Sequence, residues 1–371
     1  MKKFLVFGLA LLLLGSALFA DDAKVMPMKV GRLYVAPTFT LGLGSYDSDG
    51  TYTAFSDPVK AFNLGFALEY GIINWLTAAV QWGPGWTIWS DVKPAVPSAL
   101  TIFGGDLNTN GVADLFVGAK IQIIGEKAPL KSTGFRFAAA PGVAIPLPGP
   151  DFNAEFFDNV MTGKEATVSS MDRHVIAMGG RFYLDWIINK NFFLNLYNET
   201  MFYPVAQDLN KDSPTLAGLK AGLINGGFGA LSADIMALNG EVDYKYKLTF
   251  EIEPQFTTML ANNSIQFSAG LPVNYVLTPA YSYSLSEPSP TLAGALLANS
   301  LPDDAAGLMA YAGLVGKPTH ALSIKPNVSI FLLKTPLPLE FKFQYQIPLY
   351  GIDSMARHNM TLQVKAYFQI P

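Results

Sequence analysis

The chain has 371 residues, of which 50% are hydrophobic and only 15% are charged, and it contains no cysteine. Soluble domains have about 25% charged residues, so this composition argues against an ordinary soluble enzyme. The net charge of −4 argues against nucleic acid as a partner, because phosphate binding requires a basic face. Without cysteine, the sequence excludes disulfides, a thiolate nucleophile and a lipid-modified N-terminal cysteine.

The N-terminus has the pattern of a secretory signal. Lys2 and Lys3 precede an apolar run from Phe4 to Leu14, and small residues follow up to Ala20. A membrane anchor is the alternative, but this run is shorter than the roughly 20 residues that a spanning helix needs. The pattern predicts a cleaved signal peptide over residues 1–20, with Ala17 as an alternative cleavage position, and one mature domain over residues 21–371.

The mature chain alternates apolar and polar residues with a period of two. From Phe62 to Ile72, every second residue is apolar, and the residues between them are small or polar. The pattern recurs up to Met360–Ile370 and gives about 12 segments, each near the length of a tilted membrane strand. This predicts an all-β fold, a transmembrane antiparallel up-and-down β-barrel of about 12 strands (12–14).

Short and long connections alternate between these predicted strands. Short turns occur at Ile73-Asn74, Asn189–Asn191 and Leu260–Asn263, and long loops are predicted at Ser45–Lys60 and Ser284–Pro318, among others. This alternation is typical of bacterial outer-membrane barrels. A periplasmic β-sandwich is the alternative, but its outer face would carry more charge. We therefore expect the outer membrane of a diderm bacterium, contact with its lipid, and a C-terminal strand that serves the barrel-assembly machinery.

The polar faces of the predicted strands carry a balanced set of charges. Such charges are costly toward lipid but inexpensive toward a water-filled lumen. Arg136, Arg181, Glu251 and Lys342 are the candidate lumen residues. Ion pairs that stabilise the barrel are the favoured interpretation. The alternative is a selectivity lining, in which balanced signs predict little preference between anions and cations.

Two long loops share the hexapeptide Ser-Pro-Thr-Leu-Ala-Gly, at residues 213–218 and 289–294. A serine followed by proline is a helix-start signal, so short apolar helices are predicted in the long extracellular loops. These helices either pack on each other and bind nothing, or form an apolar groove that captures hydrophobic molecules. The candidate substrate-binding residues are Leu216, Leu219, Leu223, Phe228, Leu292, Leu296 and Leu297.

Prolines fall inside several strand patterns, where each removes a ladder hydrogen bond. A local bulge is one interpretation, and a gap through which the wall opens sideways is the other. The prolines are Pro141, Pro254, Pro272, Pro326 and Pro348.

The string Gly111–Lys120, G-x-x-D-L-x-V-G-A-K, resembles a segment of outer-membrane barrels of the long-chain fatty-acid and aromatic-hydrocarbon transporter family, including the phenol-degradation group. The resemblance implies passive uptake of hydrophobic solutes, with extracellular apolar helices as the capture site. The chain has no Asn-Pro-Ala plug motif near its N-terminus and fewer predicted strands than the fatty-acid transporters.

The sequence predicts no catalytic residues, no cofactor and no metal. Asp106, Asn108 and Asn110 have the opening spacing of a calcium loop, but Val117 stands where the closing glutamate is needed, so a plain Asn/Gly turn is preferred. His174, His320 and His358 show no metal spacing, and Ser323 lies on the opposite strand face from His320. The preferred function is a passive channel for small hydrophobic solutes. The alternatives are a general diffusion porin, or a closed surface barrel that acts as an adhesin or structural protein.

Overall fold

The computed structural model describes residues 22–91, 107–147, 166–169, 175–209 and 214–369. The predicted signal peptide lies outside the described residues, as do residues 92–106 and most of 148–174, including His174. None of the helices within the described ranges is long and apolar enough to cross a membrane.

The alternating segments form strands, because a period of two places every second side chain on the same face. The first ten strands are β1 (Val30–Tyr46), β2 (Tyr52–Ile73), β3 (Leu76–Asp91), β4 (Leu107–Val112), β5 (Leu115–Ile124), β6 (Phe135–Ile145), β7 (Ala166–Ser169), β8 (Ala177–Ile187), β9 (Phe192–Phe202) and β10 (Gln207–Asp208). The others are β11 (Gly240–Asp243), β12 (Tyr246–Leu260), β13 (Ile265–Gly270), β14 (Val273–Thr278), β15 (Ser282–Leu285), β16 (Thr319–Ile324), β17 (Asn327–Leu332), β18 (Leu339–Ile352) and β19 (Ser354–Gln369).

Hydrogen-bonded neighbours close these strands into an antiparallel barrel of 12 strands. Around the wall the order is β1, β2, β3, β5, β6, β8, β9, β12, β13/β14, β16/β17, β18 and β19, and β19 pairs with β1. β13 and β14 together fill one position in the wall, as do β16 and β17. β4 and β7 form a short parallel pair beside β3. The predicted fold class is confirmed.

The two faces of the wall differ in the way that a membrane barrel requires. On β1 and β2, apolar side chains on the outer face are exposed, whereas polar side chains on the inner face are buried. An exposed apolar belt around a polar interior is stable only where lipid surrounds the belt. The exposed set includes Leu33, Val35, Phe66 and Leu68, and the buried set includes Arg32, Thr38, Asn63 and Glu69.

The prediction of a long loop at Ser45–Lys60 is wrong. β1 ends only at Tyr46 and β2 already begins at Tyr52, so a tight hairpin replaces the loop and Tyr46 pairs with Tyr52. The carboxylate of Asp47 closes the turn, because its Oδ1 accepts hydrogen bonds from the backbone N–H groups of Asp49 and Thr51, both at 2.9 Å. The first residues of β2 are exposed on both faces, so no alternation marks them in the sequence.

Prolines interrupt two strands without opening the wall at those points. Pro272 separates β13 from β14, and Pro326 separates β16 from β17. Lys325 N–H donates to the Pro272 carbonyl at 2.8 Å, and Tyr345 N–H donates to the Pro326 carbonyl at 3.0 Å. Since these carbonyls still accept hydrogen bonds from the next strand, both interruptions are local irregularities.

The two long loops between β9 and β12 and between β14 and β16 carry the predicted short helices. Ser289 caps the third helix, because its Oγ accepts the Leu292 N–H at 3.2 Å and Pro290 follows it. β10, β11 and β15 pair as a small separate sheet. We call these three strands, the helices and the residues that connect them the lid. The α-helices are α1 (Pro214–Leu223), α2 (Ser232–Met236), α3 (Pro290–Ala298) and α4 (Ala305–Ala312), and a π-helical turn (Ile224–Phe228) and a 3₁₀ turn (Gly229–Leu231) connect α1 to α2.

The turn between β12 and β13 holds Ala261, Asn262 and Asn263 in the left-handed region, with φ of 48°, 53° and 60°. Asparagine tolerates this conformation, but alanine is strained there. We expect Ala261→Gly to raise the free energy of unfolding in lipid vesicles by about 0.5–1 kcal/mol. This is the backbone strain that glycine relieves, minus the extra conformational entropy that glycine loses on folding. Ala139→Gly, within β6, is the control and should lower the free energy of unfolding. A lower free energy of unfolding for Ala261→Gly would contradict the prediction.

Candidate functional site: the lumen and the lid

The N-terminal segment 22–29 enters the barrel from the end that carries the short turns. At that end, Met28 N–H donates to the side chain of Asn74 in the β2–β3 turn at 3.3 Å. Further inside, Met26 N–H donates to Thr77 Oγ1 at 2.8 Å. Thr77 is buried on the inner face, so the segment runs up into the lumen.

Polar side chains from two strands hold Ala23 inside the lumen. Ala23 N–H donates to Asp185 Oδ1 at 2.9 Å, and the Gln122 amide donates to the Ala23 carbonyl at 3.0 Å. The Lys120 ammonium donates to the carbonyl of Asp22. Bonds from β5 and β8 therefore fix the segment at backbone atoms.

Small residues on the inner face of β6 leave room for this segment. Ala23 is fully buried and packs against Ala138, Ala140 and Tyr183. This contact was not predicted from the sequence, because the segment has no periodicity. The alanines at alternate inner positions of β6 are the signal that could have indicated this contact. A wall that faces only water can carry larger polar side chains at these positions.

Arg181 links two distant parts of the wall across the lumen. Its Nε lies 2.5 Å from Glu199 Oε2 on the neighbouring strand β9, and its Nη1 donates to the Gln81 side chain on β3. β5 and β6 lie between β3 and β8 in the wall, so the Arg181 side chain passes over both. Gln81 in turn donates to Glu69, which pairs with Arg32 at 2.6 Å. The result is a hydrogen-bonded chain of side chains along and across the lumen.

An aromatic ring supports the Arg181 guanidinium from the side of the wall. The guanidinium carbon lies 3.9 Å from the centroid of Phe116. Gly142 is under the same ring, and a Cβ there would come within 2.2 Å of it. Glycine at this position therefore lets the ring lie flat against the wall, where it adds a cation–π contact.

The other predicted lumen residues also face inward. Arg136 Nη1 lies 3.5 Å from Asp185 Oδ2. Glu251 forms a buried ion pair with Lys325 at 2.9 Å. Lys342 lies between two phenylalanines of β18 that are exposed on the outer face, which places its side chain on the inner face.

The predicted capture residues lie mainly inside the lid. Leu216, Leu219, Leu223, Phe228, Leu292 and Leu296 are buried in one apolar core shared by the helices and the small sheet. Leu297 is the exception, with 63% of its surface exposed. Other exposed apolar side chains of the lid are Met236, Tyr311 and Val315. The described lid therefore has a packed apolar core and an apolar outer surface.

Lys220 is the cation of helix α1, and it is buried in the lid. Its ammonium donates to the Met236 carbonyl at 3.2 Å. Burial lowers the pKa of Lys220, and the charge of Asp208 opposes this shift. The buried lysine helps to join α1 to the end of α2.

Tyrosines form the base of the lid, next to the lumen. The rings of Tyr203 and Tyr244 lie 5.8 Å apart, and those of Tyr244 and Tyr281 lie 4.9 Å apart, edge to face. Tyr203 packs against both the lid core and an apolar cluster on the lumen wall that contains Phe116. The lid is thus continuous with the upper lumen.

The wall is unpaired along one part of the β18–β19 seam. Pairing between these strands ends at Gln346 and Asn359, and β18 then pairs with β16 from Ile347 onward. β19 stays paired with β1 up to Ser354. Pro348 lies in this stretch of β18, and its register with β16 shifts between Leu322 and Ser323, so a local irregularity and an unpaired seam occur together at this proline.

His320 and Ser323, which the sequence places on opposite strand faces, do not contact each other. His320 Nδ1 bonds the Tyr275 hydroxyl at 2.5 Å on the outer face, whereas Ser323 is buried on the inner face, as alternation predicts. Within the described ranges, no group of three or more histidine, aspartate or glutamate residues could hold a metal. Asp106 lies outside those ranges, and so do the side chains of Asn108 and Asn110.

Three solved structures of outer-membrane proteins are similar to this chain to different extents. The COG4313 outer membrane channel from Pseudomonas putida F1 is similar with a TM-score of 0.58 at 10% identity, and the match covers 95% of this chain and all of that one (100%). The toluene transporter TodX of P. putida matches with a TM-score of 0.37 at 10% identity, over 96% of this chain and 94% of that chain. A Pseudomonas aeruginosa FadL homologue gives a TM-score of 0.34 at 9% identity, over 92% and 90% of the two chains.

No protein-family model matches the sequence, and no curated protein is significantly similar to it. At 10% identity, the likeness to the COG4313 channel concerns the fold. The fold and its apolar outer belt define the class as a transmembrane β-barrel of the outer-membrane type.

Proposed function

We propose that the protein is an outer-membrane channel for the passive uptake of small hydrophobic solutes, which bind first to the apolar lid. The observation that carries the proposal is a lid with both a packed apolar core and exposed apolar side chains on α3 and α4. Exposed apolar surface in water is typical of a binding site. The fold shared with the COG4313 outer membrane channel supports a channel function.

The contents of the lumen favour this function over a general diffusion porin. The N-terminal segment, which includes the buried Ala23, and the Arg181 chain of hydrogen bonds occupy space that a water-filled pore needs. The unpaired seam beside Pro348 offers a side exit for a solute that is more soluble in lipid than in water. The C-terminal strand β19 remains the candidate signal for the barrel-assembly machinery.

Uptake of a labelled aromatic hydrocarbon by cells with and without the protein tests the proposal. The lipopolysaccharide leaflet slows the entry of such solutes, so protein-dependent uptake is measurable there. We expect Leu297→Asp to reduce uptake, because it places a charge on the exposed lid surface. Leu130→Asp is the matched control, since Leu130 is also exposed (58%) but lies in the turn between β5 and β6 at the other end.

Two outcomes would contradict the proposal. If cells with and without the protein take up the hydrocarbon equally, the barrel is not its route. If instead the protein passes small sugars at the same rate as the hydrocarbon, and Leu297→Asp changes neither rate, the protein is a general porin and its lid has only a structural role.

A further inference from the structure

The short turns of the barrel are basic, although the chain as a whole is acidic with a net charge of −4. In the short turns that the structure describes, four lysines stand against one glutamate, and all five side chains are exposed. They are Lys127, Lys131, Lys190, Lys334 and Glu126. A local excess of positive charge on an acidic chain favours an anionic partner at this end of the barrel.

Two of these lysines lie on neighbouring turns, beyond the same pair of aromatic rings. Lys131 lies in the turn between β5 and β6, four residues before Phe135, and Lys190 lies in the turn between β8 and β9, four residues after Trp186. Phe135 and Trp186 are cross-strand partners at the short-turn ends of β6 and β8. The two lysines therefore leave the wall side by side.

Hydrogen bonds order the β8–β9 turn without using its lysine. Asn189 Oδ1 accepts the N–H groups of Asn191 and Phe192 at 2.8 and 3.0 Å. Neither Lys131 nor Lys190 forms an ion pair with another residue in the described ranges. Both ammonium groups therefore remain available to a partner outside the chain.

The aromatic rings mark the level at which the barrel leaves the lipid. The rings of Phe135 and Trp186 are nearly parallel with centroids 6.3 Å apart, and they are 47% and 49% exposed. Phe192 on β9 is 50% exposed and lies 5.1 Å from Phe256. Outward-facing rings of this kind occupy the membrane–water interface in outer-membrane barrels. A lysine just beyond them places its ammonium among the lipid headgroups.

Apolar exposure at the same level favours a lipid over peptidoglycan as the anionic partner. Ile188 is 54% exposed and lies between Trp186 and Lys190 in sequence. Peptidoglycan is polar and would leave this side chain and the stacked rings uncovered. A phospholipid presents a phosphate to the lysines and covers the apolar side chains with its acyl chains. The short turns of such barrels face the periplasmic leaflet, which consists of phospholipid.

We infer that Lys131 and Lys190 bind the headgroup phosphate of an anionic phospholipid, whose acyl chains lie against Phe135, Trp186 and Ile188. We call these five residues the basic rim. A zwitterionic phospholipid carries an ammonium group that balances its phosphate, so the basic rim prefers the anionic lipid. This inference needs the barrel to lie in a membrane, and it is independent of the solute that the channel carries.

Native mass spectrometry of the refolded protein tests the inference. The protein is titrated in nonionic detergent with phosphatidylglycerol or with phosphatidylcholine of the same acyl chains, and the retained lipids are counted. We expect the first phosphatidylglycerol to bind about thirtyfold more tightly than phosphatidylcholine, the factor that two lysines supply. The variant Lys131→Gln/Lys190→Gln should bring this ratio close to one.

The control variant is Lys245→Gln/Lys334→Gln, which removes the same charge elsewhere. Lys245 is exposed at the lid end, and Lys334 is exposed in the β17–β18 turn, where its ammonium donates to the Asn262 carbonyl at 2.9 Å. This variant should keep the preference for phosphatidylglycerol. All four lysines are exposed, so both variants should fold.

Four results would overturn the inference. The first two are equal binding of both lipids by the intact protein and an unchanged preference in Lys131→Gln/Lys190→Gln. The third is an equal loss of preference in the control variant, since net charge alone would then explain the binding. The fourth is tighter binding of a soluble muramyl peptide than of phosphatidylglycerol, which would make peptidoglycan the partner.

Discussion

Deleting residues 22–28 should raise the single-channel conductance of the refolded mature protein several-fold in a planar bilayer. The segment occupies the lumen, where Ala23 is fully buried against β6 and is bonded to Asp185 and Gln122. A barrel of this size has room for only a narrow path once such a segment lies inside it. Removing the segment leaves the small inner side chains of β6 facing water.

Two point variants refine this prediction. Ala23→Leu adds volume at a fully buried position, so it should dislodge the segment and raise the conductance in part. Met28→Ala is the control, because Met28 is 49% exposed at the rim. If the deletion variant conducts no better than the intact protein, the segment is not the barrier. The Arg181 chain of hydrogen bonds would then be the narrowest point.

Arg181→Ala should destabilise the barrel by about 3–5 kcal/mol, because it leaves the Glu199 carboxylate without its cation in a largely buried position. The side chains of Arg181 and Glu199 are 11% and 12% exposed, so water screens the lost interaction only weakly. The substitution also releases Gln81 and removes the link across the lumen. Guanidinium unfolding in lipid vesicles, followed by tryptophan fluorescence, measures the effect.

A double variant separates the cost of the unpaired charge from the value of the contacts. In Arg181→Met/Glu199→Gln, the glutamine side chain still accepts the hydrogen bond that the Tyr197 hydroxyl donates to Glu199 at 3.0 Å. Most of the lost stability should return, because no uncompensated charge remains buried. If Arg181→Ala costs less than about 1 kcal/mol, the pair behaves as an exposed ion pair and the lumen is well hydrated at this level.

The lid residues show which features of the candidate site can be predicted from the sequence. The repeated Ser-Pro-Thr start predicted helices, and α1 and α3 begin at Pro214 and Pro290. Apart from Lys220, these helices have almost no polar face, so no amphipathic stripe in the sequence distinguishes core leucines from surface leucines. Leu296 is fully buried while Leu297 is 63% exposed, and only the packing of the lid separates the two.

The sequence by itself determined the wall of the barrel, because a strand with lipid on one face and polar groups on the other must alternate with period two. The sequence pattern did not predict the strands at the tip of the β1–β2 hairpin, because both faces of the hairpin are exposed to water there. The tertiary structure alone decided what fills the lumen. Ala23 and Asp185 are 162 residues apart in the chain, and Arg181 and Gln81 are 100 apart. Contacts of this kind leave no local periodicity, and they form only when barrel closure brings distant strands to face one another.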